Sequence, residues 1–179
     1  EALVALDAQT GREIGRLGFP DPVHGLPAVH NGRMYLGMGS ADYVSFASSR
    51  GRLNCIDLES FSVRWSLPLE GTLLGAAACD EAGIVFGCTD GRVYAVDHDG
   101  NLQATWNSRA PILASVALTA DAVLAVNQAG VLQALRRSDL EPLWQTRLGS
   151  AGDYFSAPVV GERQVFVGTP GGMVCLGAA

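Results

Sequence analysis

Lysine is missing from this sequence: all twelve basic side chains are arginines, set against 18 carboxylates for a net charge of −6. The arginines form no basic run, which excludes a surface that tracks nucleic-acid phosphates. No apolar run approaches about 18 residues, so no helix is expected to span a membrane. The first residues read as the middle of a fold rather than as a secretion signal. Cys55, Cys79, Cys88 and Cys175 include no adjacent pair and no CxxC. Their spacing suits neither a zinc site nor a small disulfide scaffold, and unpaired cysteines favour a cytoplasmic compartment over an extracytoplasmic one. There is no GxSxG, and "GMGSAD" (37–42) lacks the third glycine and the following helix of a nucleotide fingerprint. No stretch keeps a helical period over about 11 residues.

What is present is a repeat. "GRVYAVD" (91–97) returns as "GRLNCID" (51–57), "GVLQALR" (130–136) and "GGMVCLG" (171–177), and cut short as "EALVALD" (1–7). Gly51, Gly91, Gly130 and Gly171 lie 40, 39 and 41 residues apart. The fifth position is always small: Ala5, Cys55, Ala95, Ala134, Cys175. Cys55 and Cys175 therefore read as small buried strand residues. Trp65, Trp106 and Trp144 each follow the unit by eight or nine residues, which predicts one repeated packing anchor between units. Before each glycine stands a hairpin pattern, as in "LPAVHNGRMYLG" (26–37) and "SAPVVGERQVFVG" (156–168). Four short strands, A to D, in a period near 40 predict an all-β chain: a β-propeller of four-stranded antiparallel blades. The blades are expected at about 26–67, 73–107 and 113–146, with partial blades at 1–18 and 155–177. The whole is one domain, part of a seven- or eight-bladed ring.

"ALDAQTG" (5–11) and "CIDLESFSVRW" (55–65) resemble the AxDxxTGxxxW repeat of pyrroloquinoline-quinone (PQQ)-type propellers. The likeness runs over essentially the whole chain. It departs at Gly15, where tryptophan is expected, and at Arg136, where aspartate is expected. Quinoprotein dehydrogenases of that type also carry a vicinal Cys-Cys ring and a calcium-binding carboxylate set. Neither motif is visible here, so the resemblance implies the fold, and neither PQQ nor calcium is expected. The repeat is also similar to that of BamB-like assembly lipoproteins. "DYFSAPVVGERQVFVGTPGGMVCL" (153–176) resembles the propeller appended to acyl-CoA-synthetase-like adenylating enzymes.

Propellers of this kind meet ligands on the face made by the D–A and B–C loops. The D–A loops offer Asp21, His24, Glu70, Arg109, Asp153 and Tyr154. The B–C loop "GSADYVSFASSRG" (39–51) is about ten residues longer than its counterparts and adds Asp42, Tyr43 and Arg50. His24 and His30 are six apart, a spacing that marks no metal pair. "GCTDGRVYAVDHDGN" (87–101) is too tight for an EF-hand loop and reads as two turns around strand C. No catalytic set is legible. The expected function is a non-catalytic module that binds a protein or ligand, alone or beside an adjoining domain of a larger chain. Its open propeller ends are expected to self-associate. The alternatives are a quinoprotein oxidoreductase fragment and an extracytoplasmic ligand-sensing domain.

Overall fold

The computed structural model describes residues 1–40 and 50–177. Among the described residues, seventeen strands form five antiparallel sheets in sequence order. Strands β1 (Ala2–Leu6) and β2 (Glu13–Gly18) pair alone. The second sheet is β3 (Ala28–His30), β4 (Arg33–Gly39), β5 (Gly51–Asp57) and β6 (Ser62–Leu69). The third is β7 (Ala78–Asp80), β8 (Gly83–Gly87), β9 (Arg92–Val96) and β10 (Leu102–Asn107). The fourth is β11 (Ala117–Leu118), β12 (Ala122–Val126), β13 (Val131–Arg136) and β14 (Pro142–Arg147). The last is β15 (Val159–Val160), β16 (Gln164–Thr169) and β17 (Gly172–Gly177). Each sheet is a propeller blade, and its strands pair in the order A, B, C, D.

The repeat sequence accounts for each blade. Strands B and C carry apolar side chains on both faces because each face meets another sheet, and all five residues of β8 are buried. Strand D is the outer edge and is mostly exposed. The aspartate that ends strand C folds the C–D turn onto itself. Asp57 Oδ1 accepts the amides of Glu59 (3.1 Å) and Ser60 (2.8 Å) and the Ser60 hydroxyl (2.9 Å). Asp7 does the same with Gln9 and Thr10. These hydrogen bonds hold both carboxyls below the usual aspartate value. In the fourth blade Arg136 stands in that position, and Asp139 takes over by accepting the Glu141 amide.

A bulge recurs in every C–D hairpin, at the small fifth residue. It fixes which D-strand residue lies opposite: Gly15 against Ala5, Trp65 against Cys55, Ala104 against Ala95, Trp144 against Ala134. The expectation of one tryptophan column is thereby corrected. Trp65 and Trp144 share the place, but the third blade puts Ala104 there, and Trp106 sits two residues on, opposite Val93.

Across the first three junctions this residue lies towards the next blade's C–D turn, at its residue of positive φ: Phe61 (50°), Gly100 (89°) or Leu140 (60°). Sizes are matched. A methyl group on Gly15 would lie 2.9 Å from the Phe61 ring, and one on Gly100 would lie 2.8 Å from Trp65. Ala104 and Leu140 share one apolar cluster. Small thus meets large, large meets small, and small meets large.

Four apolar clusters fill the four junctions between successive sheets. The two faces at the ends of the series stay open: Ile14 is 69% and Met173 75% exposed. Cys175 lies on the second of these ends and is exposed, which corrects the expectation that it is buried like Cys55. All four cysteines are unbridged.

Candidate functional site

The D–A loops do not hang free. Each is tied by hydrogen bonds to strand B or the B–C turn of a blade that it joins. The Thr72 amide donates to Thr89 Oγ1 (2.8 Å), and the Thr89 amide donates back to the Thr72 carbonyl (3.1 Å). One blade on, Ile112 N–H donates to the Cys88 carbonyl and Gln128 N–H to the Pro111 carbonyl. The Gly152 amide repeats this with the Gln128 carbonyl. Gly71 allows the closest of these approaches: a methyl group there would lie 2.5 Å from the Asp90 amide nitrogen. The result is a loop face held rigidly on the sheets.

The residues expected on this face divide by what holds them. Asp21 pairs with Arg52 at 2.8 Å. His24 is half-buried, with Nε2 3.1 Å from the Gly39 carbonyl oxygen. Asp153 accepts a hydrogen bond from Gln128 Nε2 at 2.8 Å. Arg50, Glu70 and Arg109 are exposed, and Arg109 takes a positive φ of 63° in its loop. Tyr154 is elsewhere: it is 1% exposed, packs in the core between the fourth and last blades, and donates to the Ser150 carbonyl. Its ring holds a loop in place and is not offered on the face. Asp42 and Tyr43 lie outside the described residues.

Where the loops enter the A strands, small residues bring the backbones together. A methyl group on Gly25 would lie 2.5 Å from the Gly75 carbonyl oxygen, and one on Gly75 would lie 2.4 Å from the Ser115 nitrogen. Ser115 Oγ accepts from the Ala76 amide at 2.7 Å. This convergence forms a mouth of about 260 Å³ with His24 in its wall and Leu26 and Phe155 on its rim. Leu26 is 74% and Phe155 59% exposed. No sequence signal had marked these two, because single apolar loop residues are common on protein surfaces.

Beneath the face, Cys88 is fully buried and unbridged. Burial first, and the nearby Asp90 charge second, push its thiol up to about 12. Asp90 itself accepts the Tyr94 hydroxyl and faces Arg92 at 3.3 Å.

The opposite face, made by the A–B and C–D turns, carries a second polar frame. His98, just past strand C of the third blade, places Nε2 2.8 Å from its own blade's Asp80 carbonyl oxygen and stacks on His30 of the preceding blade at 5.2 Å. Arg137 fills the same place one blade on. It donates to its own blade's Thr119 carbonyl (3.0 Å) and pairs with the carboxylate of Asp80 from the preceding blade. Burial alone would raise the Asp80 carboxyl, but hydrogen bonds from Ala82 and Arg137 outweigh it and hold the group low. Beside this pair, between the third and fourth blades, opens a cleft of about 940 Å³. Among the described residues no three His, Cys, Asp or Glu side chains lie together as metal ligands.

The family model for the outer membrane protein assembly factor BamB matches residues 1–179. No curated protein matches the chain. Among solved structures, BamB from Moraxella catarrhalis aligns with a TM-score of 0.70 and 18% identity, over 88% of this chain and 50% of that one. The computationally designed Ika8 protein aligns with a TM-score of 0.79 and 15% identity, over 98% of this chain and 52% of that one. The designed Ika4 protein aligns with a TM-score of 0.74 and 14% identity, over 90% and 94%. The chain thus spans about half the length of the BamB structure it matches.

Proposed function

The chain belongs to the family of the outer membrane protein assembly factor BamB, and from that premise we propose that it is a non-catalytic scaffold that binds a protein on its D–A and B–C loop face. The observation that carries this reading is the presence of exposed apolar and charged residues together on one loop face. Leu26 and Phe155 stand exposed at the mouth, and Arg50, Glu70 and Arg109 are exposed on the surrounding loops. A desolvatable centre within a polar border is the usual anatomy of a protein interface. The tied loops add to it, since a preorganised face loses little entropy on binding. The partner that fits the family is a protein of outer-membrane assembly. A calcium-bound quinone is no part of this reading: calcium takes roughly six to eight oxygen ligands, and the described lining of the mouth holds no carboxylate.

Photo-crosslinking from Leu26 and Phe155 in cells, followed by identification of the trapped protein, tests the reading. It expects one partner trapped from both positions and not from Glu59 on the opposite face, with L26E/F155E abolishing the product. Equal trapping from Glu59, or indifference to the double substitution, would overturn it.

The end faces favour a second kind of contact. Leu6 and Ile14 at one end, and Val159, Val160 and Met173 at the other, leave apolar sheet surface uncovered. They are read as surfaces for further blades, supplied by a larger chain or by a second copy. Light scattering is expected to show self-association of the 179-residue chain that I14E and M173E each weaken. A monomer at high concentration would contradict this.

A further inference from the structure

We infer that the cleft between the third and fourth blades binds a small planar cation, of the amidinium or guanidinium class. The neighbouring junction shows what the frame is shaped to hold. There the second blade sends Arg33, Tyr35 and Trp65 towards the third. The Arg33 guanidinium donates to the His98 carbonyl at 2.8 Å, and the Trp65 indole donates to the same oxygen at 3.0 Å. Tyr35 meets His98 Nδ1 at 2.7 Å. A cation, an aromatic ring and an indole together fill that space.

By strand register, the third blade puts Gly83, Val85 and Ala104 in those three places. Two of these, Gly83 and Val85, line a cleft of about 940 Å³, at the upper end of the range for small-molecule sites, roughly 300–1,000 Å³, while Ala104 packs in the apolar cluster beside it. Gly83, Val85 and Ala95 form one wall, and Leu143 lies across from them. The protein's own Arg33 and Tyr35 side chains are therefore a template for the missing occupant.

Charge selects the same class. Asp97 and Asp121 line the cleft, as do Arg136 and Arg137. Both guanidiniums are turned to other carboxylates, Arg136 to Asp139 at 2.8 Å and Arg137 to Asp80. With the two guanidiniums matched by Asp139 and Asp80, which lie outside the lining, Asp97 and Asp121 are left as the lining's two carboxylates without an ion pair among the described residues. Among the described residues no cation pairs with Asp121. A planar cation would lay its apolar face on Val85 and direct its N–H groups at the carboxylate edge.

An NMR titration of the whole chain with benzamidine, and in parallel with benzoate, tests this. Saturable shifts are expected with benzamidine at Val85, Ala95 and Ser138, and none with benzoate. Val85→Tyr, which rebuilds the side chain that plugs the neighbouring junction, is expected to abolish them while the Tyr35–Met38 amides stay in place. D121N, at an exposed site that leaves the fold untouched, is expected to weaken benzamidine about two- to fivefold, the worth of one exposed charge pair. Preference for benzoate would show that the two arginines set the chemistry, and would overturn the inference. So would the absence of saturation, or undiminished benzamidine binding in D121N.

Discussion

The second and third blades meet their successors through the same frame, yet beside that frame one junction is filled and the other keeps a cleft. In both, a residue just past strand C reaches the A–B end of its own blade: His98 to the Asp80 carbonyl, Arg137 to the Thr119 carbonyl. In both, the same residue touches the end of the preceding blade's A strand, by a ring stack with His30 or an ion pair with Asp80. What differs is the filling. Arg33 and Tyr35 occupy the first junction, and Gly83 and Val85 in the same places line an open cleft at the second. The repeat thus separates two tasks. Backbone-directed contacts fix how blades stack, and the side chains above them are free to plug the gap or leave a site.

Breaking the filled junction is expected to cost most. Tyr35 is fully buried, so Y35A is expected to lose about 3–5 kcal/mol in urea unfolding, as large aromatic truncations do. V85A, at the matching place beside the cleft, removes far less and is expected to cost about 1–2 kcal/mol. Equal losses at the two sites would erase the contrast.

The charged clamp comes next. Asp80 is 43% exposed in its pair with Arg137. Exposure discounts the pair to about 1 kcal/mol or less, so R137M should lower stability by that amount and lose most of its effect in high salt.

The smallest effect is the acid dependence of the C–D turns. Asp7, Asp57, Asp97 and Asp139 are all held below the ordinary aspartate value of 3.8, chiefly by hydrogen bonds. A carboxyl lowered in the folded state stabilises it above the unfolded value, and that contribution is lost as pH falls through the folded one. Unfolding midpoints should therefore be flat from neutrality to about pH 5 and fall below pH 4, less steeply in D57N. An undiminished acid slope in D57N would remove Asp57 from this role.

Much of the fold was legible because it rests on periodic features. The glycine spacing, the alternating strands and the aspartate turns "ALDAQTG" and "CIDLESF" predict blades whose strands and C–D turns the structure shows. The three tryptophans misled in one instance. Trp106 lies on the right strand, but the bulge counts from Ala95, and it places Ala104 in the anchor position. A one-residue difference in turn length is visible in sequence, but its effect on register is settled only by pairing. Cys175 was misread for a different reason: burial of a repeat position depends on the next blade, and no described residues cover that face.

The candidate site was less legible. Asp21, His24 and Asp153 lie where the loops suggest, but Tyr154 turned inward, a choice made by packing and not by loop membership. The exposed Leu26 and Phe155 carried no pattern. The cleft is lined by two small residues, Gly83 and Val85, which no motif marks because absence of volume has no signature in one chain.

The claim that junctions are plugged by size-matched pairs is tested most directly by a double-mutant cycle at Ala104 and Leu140, read by urea unfolding. A104W alone should overpack against Leu140 and cost about 1–3 kcal/mol. L140G alone should leave a cavity, partly offset because glycine suits the φ of 60° there. Together, A104W/L140G rebuild the Trp65–Gly100 pair, and the account predicts a favourable coupling of about 1 kcal/mol or more. Additive losses, within about 0.3–0.5 kcal/mol, would contradict it.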